Sequence, residues 1–165
     1  MLTSCQERDS YFGHLAYEKK VAIALSDYGI EEVPPQIQEL QNAEESTISW
    51  FSQDGWRVYP PLSFYSGLKE FPPPYQKLPK EITTLTKLRH LSIVDLNLSE
   101  LPEDFAALKN LETVNVALNK LNLPNELEKL QLLPHLRQLN VMGNRVDTVA
   151  MKKWMKEKPG LSISY

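Results

Sequence analysis

The chain has 165 residues, 42% of them hydrophobic and 24% charged, which excludes a disordered chain and allows one domain with a real core. A net charge of −3 argues against a nucleic-acid footprint, because phosphate binding needs a concentrated basic surface. No run of about eighteen apolar residues occurs, so no membrane-spanning helix is expected, and a single cysteine, Cys5, excludes an internal disulfide framework and a cysteine-rich zinc site.

Residues 1–19 are expected to be an N-terminal tail and cap, with Tyr11, Phe12, Leu15 and Tyr17 covering the first end of the domain that follows. Within that tail Leu2-Thr3-Ser4-Cys5 resembles the bacterial lipobox. The resemblance implies a lipid on Cys5, a tether to a membrane surface and a place in the bacterial cell envelope. An apolar stretch of about 7–15 residues normally precedes such a box, and only Met1 to Ser4 precede it here. The alternative is an ordinary exposed cysteine on a cytoplasmic protein.

From residue 20 onward two patterns alternate. Lys20-Val21-Ala22-Ile23-Ala24-Leu25 reads as a first Leu-x-x-Leu-x-Leu copy, with lysine in the leading place. Val33-Pro34-Pro35-Gln36-Ile37-Gln38-Glu39-Leu40 follows as a first Leu-Pro-x-x-apolar-x-x-Leu copy. Residues 43–77 break the register. They hold eight of the fifteen aromatics and five of the twelve prolines. Ile48-Ser49-Trp50 and Leu62-Ser63-Phe64 could each be strands, and Phe71 or Leu78 could each anchor the next Leu-Pro copy. The segment reads either as degenerate repeats with larger core side chains or as an insertion exposing an aromatic patch of Trp50, Trp56, Tyr59, Tyr65 and Tyr75.

Beyond Leu78 the pattern is regular. Leu-Pro copies start at Leu78, Leu101 and Leu123, and the other pattern at Leu88, Leu111 and Leu136, with a last half copy in Leu161-Ser162-Ile163. From Val33 the Leu-Pro steps are 45, 23 and 22 residues, the first close to two periods. Twenty-five residues are leucine, nineteen of them between Leu78 and Leu161. Asp147 or Thr148 can cap a helix over about 148–158, with Val149, Met151, Trp154 and Met155 at helical spacing and Pro159-Gly160 as its stop.

These residues resemble the leucine-rich repeat family in its 23-residue Leu-Pro form, strongly over 78–163 and well over 20–42. The resemblance implies an α/β fold: a right-handed solenoid over 20–165, with parallel strands on the concave face, irregular or 3-10 segments on the convex face and the one C-terminal helix. It also implies structural asparagines just after the strand. Asn119 and Asn144 fill that place, and Leu96 and Tyr28 interrupt the ladder. The physical reading agrees. Alternating x-Leu-x-Leu-x stretches make short strands, and inward Leu91, Ile93, Leu98, Leu101, Phe105 and Leu108 fill a core that no single winding can close.

Residues between the core leucines then point to the concave face. They are Ala22, Ala24 and Ser26; His90, Ser92 and Val94; Thr113, Asn115 and Ala117; Gln138, Asn140 and Met142; and Ser162 and Ser164. This small, polar, almost uncharged set is the candidate binding face for a protein partner. His14, His90 and His135 share no metal spacing, and neither a phosphate loop nor a nucleophile motif occurs. Acids such as Asp104, Glu126 and Glu128 read as a solvated face. No enzymatic activity, cofactor or metal is expected. The function expected is that of a binding module. The alternative is a membrane-anchored structural envelope lipoprotein that self-associates weakly through an exposed C-terminal strand.

Overall fold

The computed structural model describes residues 10–50 and 77–165. Six strands form one parallel sheet, and their spatial order is their chain order: β1 (Lys20–Ala24), β2 (Glu45–Ser49), β3 (His90–Ile93), β4 (Thr113–Asn115), β5 (Gln138–Asn140) and β6 (Ser162–Ser164). Each winding returns the chain beside the strand it has just left, so neighbouring strands run in one direction. Lys20 lies opposite Glu45, His90 opposite Thr113, Thr113 opposite Gln138 and Gln138 opposite Ser162, which are steps of 25, 23, 25 and 24 residues.

The step from β2 to β3 differs. Glu45 pairs directly with His90, so 45 residues are spanned by one strand spacing and not by two periods. Strand β2 covers Glu45–Ser49, not Ile48–Trp50. Its pattern had been masked because Ala43, Ser46 and Ile48 occupy the places of Leu88, Leu91 and Ile93. Leu78 is buried and Lys77 bridges to Glu100, so Leu78 stands in register with Leu101 as the Leu-Pro anchor. Leu62–Phe64, Phe71, Trp56, Tyr59, Tyr65, Tyr75 and Cys5 lie outside the described residues. Trp50 is half-buried and packs against the core.

The first copy also shifts. Val21, not Ile23, pairs in the column of Ser46 and Leu91. The reading from sequence had slipped by two residues, which preserves the inward and outward alternation and therefore left no trace in the hydrophobic pattern. On β1 Lys20 and Ala22 are exposed while Ala24 is only 7% exposed, and the asparagine place falls on Ser26 rather than Tyr28. Tyr28 instead turns its ring edge-on to Phe12 at 5.3 Å. Phe12 is wholly buried and caps the first winding. The Glu39 carboxylate fixes that cap by accepting from Ser10 Oγ at 2.8 Å and from the Phe12 N–H at 3.2 Å. Tyr17 is 88% exposed and takes no part in it.

On the convex side 3-10 turns occupy Pro35–Glu39, Lys80–Thr84 and Glu103–Ala107. The prolines Pro34, Pro79 and Pro102 hold extended backbone just before or at each start. In the next winding the same motif makes a true helix, α1 (Leu123–Gln131), where Pro124 is tolerated in the first turn. The change of pitch moves the buried position. Leu127, the counterpart of Ile82 and Phe105, is half-buried, while Glu126 is 4% exposed, so it is not part of a solvated face. The helix α2 (Thr148–Glu157) runs as expected, and Asp147 is its cap: Oδ1 accepts from the N–H groups of Val149 at 2.9 Å and Ala150 at 3.2 Å.

The core is one continuous stack. Leu91, Ile93, Leu98, Leu101, Phe105 and Leu108 are each at most 1% exposed, and burying such a side chain contributes about 1.5–3 kcal/mol. Two asparagines stitch the windings together. The Asn119 amide donates to the carbonyls of Ile93 (2.8 Å), Val116 (3.0 Å) and Ala117 (3.2 Å), and its Oδ1 accepts from the N–H groups of Leu96 and Leu98, both at 3.1 Å. Asn144 repeats this one winding on: it donates to Val116 and Val141 carbonyls and accepts from the Leu121 N–H.

Among the described residues two buried side-chain polar atoms lack a hydrogen-bond partner, Asn122 Oδ1 and Ser46 Oγ, and the second lies in the core. Ser46 is 3% exposed and its Oγ has no hydrogen-bond partner, in a column whose other members include Val21, Leu91 and Val114. An unsatisfied buried hydroxyl costs about 1–3 kcal/mol. Ser46→Val is expected to raise the urea midpoint by an amount equivalent to about 1 kcal/mol. A fall for both Ser46→Val and Ser46→Ala would show that the hydroxyl stabilises the strand.

Candidate functional site

The strands turn alternate side chains outward, and these line up across the sheet. On β3 the outward residues are His90, Ser92 and Val94, all half-buried; on β5 they are Gln138, Asn140 and Met142. Thr113 and Asn115 project from β4, and Ser162 and Ser164 from β6. Thr47 and Ser49 of β2 complete the face; sequence reasoning missed them because serine stands where the leucine marker should be. Ala117, in the same column as Val94 and Met142, is 7% exposed, so its small side chain adds little surface to the face; Asn115 Oδ1 accepts its N–H at 3.2 Å.

The face deepens into a groove of about 350 Å³ over β4, β5 and β6, lined by Thr113, Asn115, Gln138, Asn140, Ser162 and Ser164, with Val114 and Leu139 at its floor. His90, Ser92 and Val94 lie beside it on β3. Two carboxamides are held in place. Asn115 Nδ2 donates to Ser92 Oγ at 3.3 Å, and Asn140 Oδ1 accepts the Met142 N–H at 3.2 Å, which aims the Asn140 amide N–H groups outward. Among the described residues, Thr113, Gln138, Ser162 and Ser164 make no side-chain hydrogen bond, so their polar atoms remain available. The groove contains no charge.

Charge sits instead along the rim where the strands begin. Lys19 pairs with Glu44 at 2.7 Å, Lys20 with Glu45 at 2.9 Å and Arg89 with Glu112 at 2.7 Å. The Lys19 ammonium, hydrogen-bonded to Glu44, holds that carboxyl below the usual range, with Arg89 and Lys87 adding to the effect. The Arg89 guanidinium does the same to Glu112, and Arg137 reinforces it from the next winding. The rim therefore alternates in sign from winding to winding.

A second groove, of about 510 Å³, lies on the convex side between Glu103–Ala107 and α1. Its floor is an ion pair. Lys129 Nζ lies 3.2 Å from Glu126 and 3.1 Å from Glu103, and also donates to the Leu101 carbonyl at 2.8 Å. Glu126 accepts the Leu101 N–H at 3.1 Å. The pair thus satisfies both backbone groups of one residue in the neighbouring winding. Among the described residues no group of three or more His, Cys, Asp or Glu could hold a metal ion, and no helix is long and apolar enough to cross a membrane.

A search of solved structures matches the same architecture. A leucine-rich-repeat protein of Leptospira interrogans superposes with a TM-score of 0.50 at 21% identity, over 82% of this chain and 34% of that one. Internalin C2 of Listeria monocytogenes does so with a TM-score of 0.50 at 21% identity, over 80% of this chain and 55% of its own. The fold is a leucine-rich-repeat solenoid. No protein-family model and no curated protein matches the chain. The chain spans 34% and 55% of these two longer neighbours.

Proposed function

We propose that this solenoid is a non-enzymatic module that binds a polypeptide on its concave face, in the groove over β4, β5 and β6. The observation that supports it most is the lining: hydroxyls and carboxamides with unused hydrogen-bonding capacity, set on strands paired in parallel register. A rigid face of this kind loses little ordering entropy when a partner docks. Its neutral centre favours the backbone amides and uncharged side chains of an extended or curved segment over a charged ligand. Asn115, Gln138 and Asn140 are the central contacts in this reading, with Thr113, Ser162 and Ser164 around them.

The test places charge in the groove. The chain is used as bait, and captured protein is compared with that taken by an Asn115→Lys/Asn140→Lys variant and by a control at the exposed Lys109, Lys109→Glu, which does not line the groove. Capture by the double variant is expected to fall at least about tenfold, which corresponds to about 1.4 kcal/mol, with the control unchanged. Equal capture by the double variant removes this face from consideration.

A further inference from the structure

The two ends of the solenoid carry opposite charge. Residues 10–50, which contain β1, β2 and the first winding, hold two lysines against seven acids, a net charge of −5. Residues 132–165, which contain β5, α2 and β6, hold six lysines and arginines against two acids, a net charge of +4. The stretch between, residues 77–131, is nearly balanced at −1. The overall charge of −3 therefore conceals a separation along the axis.

These charges are on the surface and largely uncompensated. Glu18, Asp27, Glu31 and Glu32 are exposed and form no ion pair among the described residues. At the other end Arg145, Lys152 and Lys156 are exposed and likewise unpaired, and Lys153 only approaches Glu157 at 3.8 Å. Six strands spaced about 4.8 Å apart put the two ends about 24 Å from each other. That is well beyond the Debye length of about 8 Å at physiological ionic strength, so neither end neutralises the other within one molecule.

We propose that copies of this chain associate end to end, the acidic first winding of one against the basic last winding of the next. The complement to each charged end is present on the same molecule, whereas pairing like ends would oppose charges of one sign. The contact is therefore heterologous. Each added copy leaves one acidic and one basic end free, so the assembly grows with concentration and does not stop at a dimer.

Sedimentation velocity of the full chain over a concentration series tests this at about 0.01 M and about 1 M salt, where the Debye length is about 30 Å and about 3 Å. At low salt the weight-average mass is expected to rise with concentration to at least twice 19.0 kDa, and to return to 19.0 kDa at high salt. The variant Lys152→Glu/Lys153→Glu/Lys156→Glu is expected to stay monomeric alone, as is Asp27→Lys/Glu31→Lys/Glu32→Lys. Mixing the two is expected to restore association, since one then has two acidic ends and the other two basic ends. A monomer under all conditions overturns the proposal, as does association that survives high salt or persists in both variants. A wild-type chain that remains monomeric but sediments with phosphatidylserine vesicles would assign the basic end to a lipid surface and overturn it too. The salt series needs no substitution, so it decides even if a variant folds poorly.

Discussion

Asn119→Ala is expected to lower the stability of the solenoid by about 2–5 kcal/mol, measured by urea unfolding. Removing the side chain strands two buried donors, the N–H groups of Leu96 and Leu98, and takes the donor from three carbonyls. Each buried group left unsatisfied costs about 1–3 kcal/mol, against a total stability of about 5–15 kcal/mol for a domain. The graded controls come from the same chain. Asn144→Ala frees one backbone donor, that of Leu121, in a half-buried site, so its cost should be smaller. Asn110→Ala removes one exposed bond to the Thr86 carbonyl and should cost little. An order other than Asn119, Asn144, Asn110 would mean that the ladder does not hold the windings together.

The second large effect is at Lys129. Lys129→Met leaves Glu126 as a buried carboxylate without its cation and the Leu101 carbonyl without its donor, a class of change that costs about 3–5 kcal/mol. Adding Glu126→Gln should recover part of the loss, because the amide oxygen can still accept the Leu101 N–H while the buried charge is gone. Alkaline titration gives the same information without a double variant. Burial works to pull the Lys129 ammonium down, but its hydrogen bonds to Glu103 and Glu126 and their charges outweigh this and raise its pKa. A raised lysine stabilises fully below the unfolded value of about 10.4 and loses that contribution as pH climbs through the folded value. The stability gap between wild type and Lys129→Met should therefore hold constant up to about pH 10 and narrow above it. A gap independent of pH up to denaturation would show that the ammonium charge is not what Lys129 contributes.

Most of the architecture was legible in the spacing of leucines, because from Leu78 on every winding repeats the same inward positions with side chains of similar volume. Two departures were not legible, for different reasons. At β1 a slip of two residues keeps the alternation intact, so only the pairing of Val21 with Ser46 could reveal it. At β2 the inward places hold alanine and serine, and a search for large apolar residues passes over them. The burial of Glu126 was hidden because its winding uses an α-helix where the others use 3-10 turns, which rotates a charged residue inward. On the candidate site, strand alternation identified the outward residues, but only the stacked strands showed that the depression lies over β4 to β6. Alternation alone also does not show that Ala117 presents little surface, since only its 7% exposure separates it from Val94 and Met142 in the same column.

The long step from Glu45 to His90 has a practical consequence. Strands β2 and β3 keep their pairing across a step of 45 residues where the others span 23 to 25, and the entropic cost of lengthening a connection grows only by about 0.6 kcal/mol per doubling. That step is where added length costs the sheet least. A reporter domain or an epitope tag spliced there should leave the Thr113–Ser164 groove and both charged ends as they are, giving a labelled molecule in which docking and assembly can be followed separately.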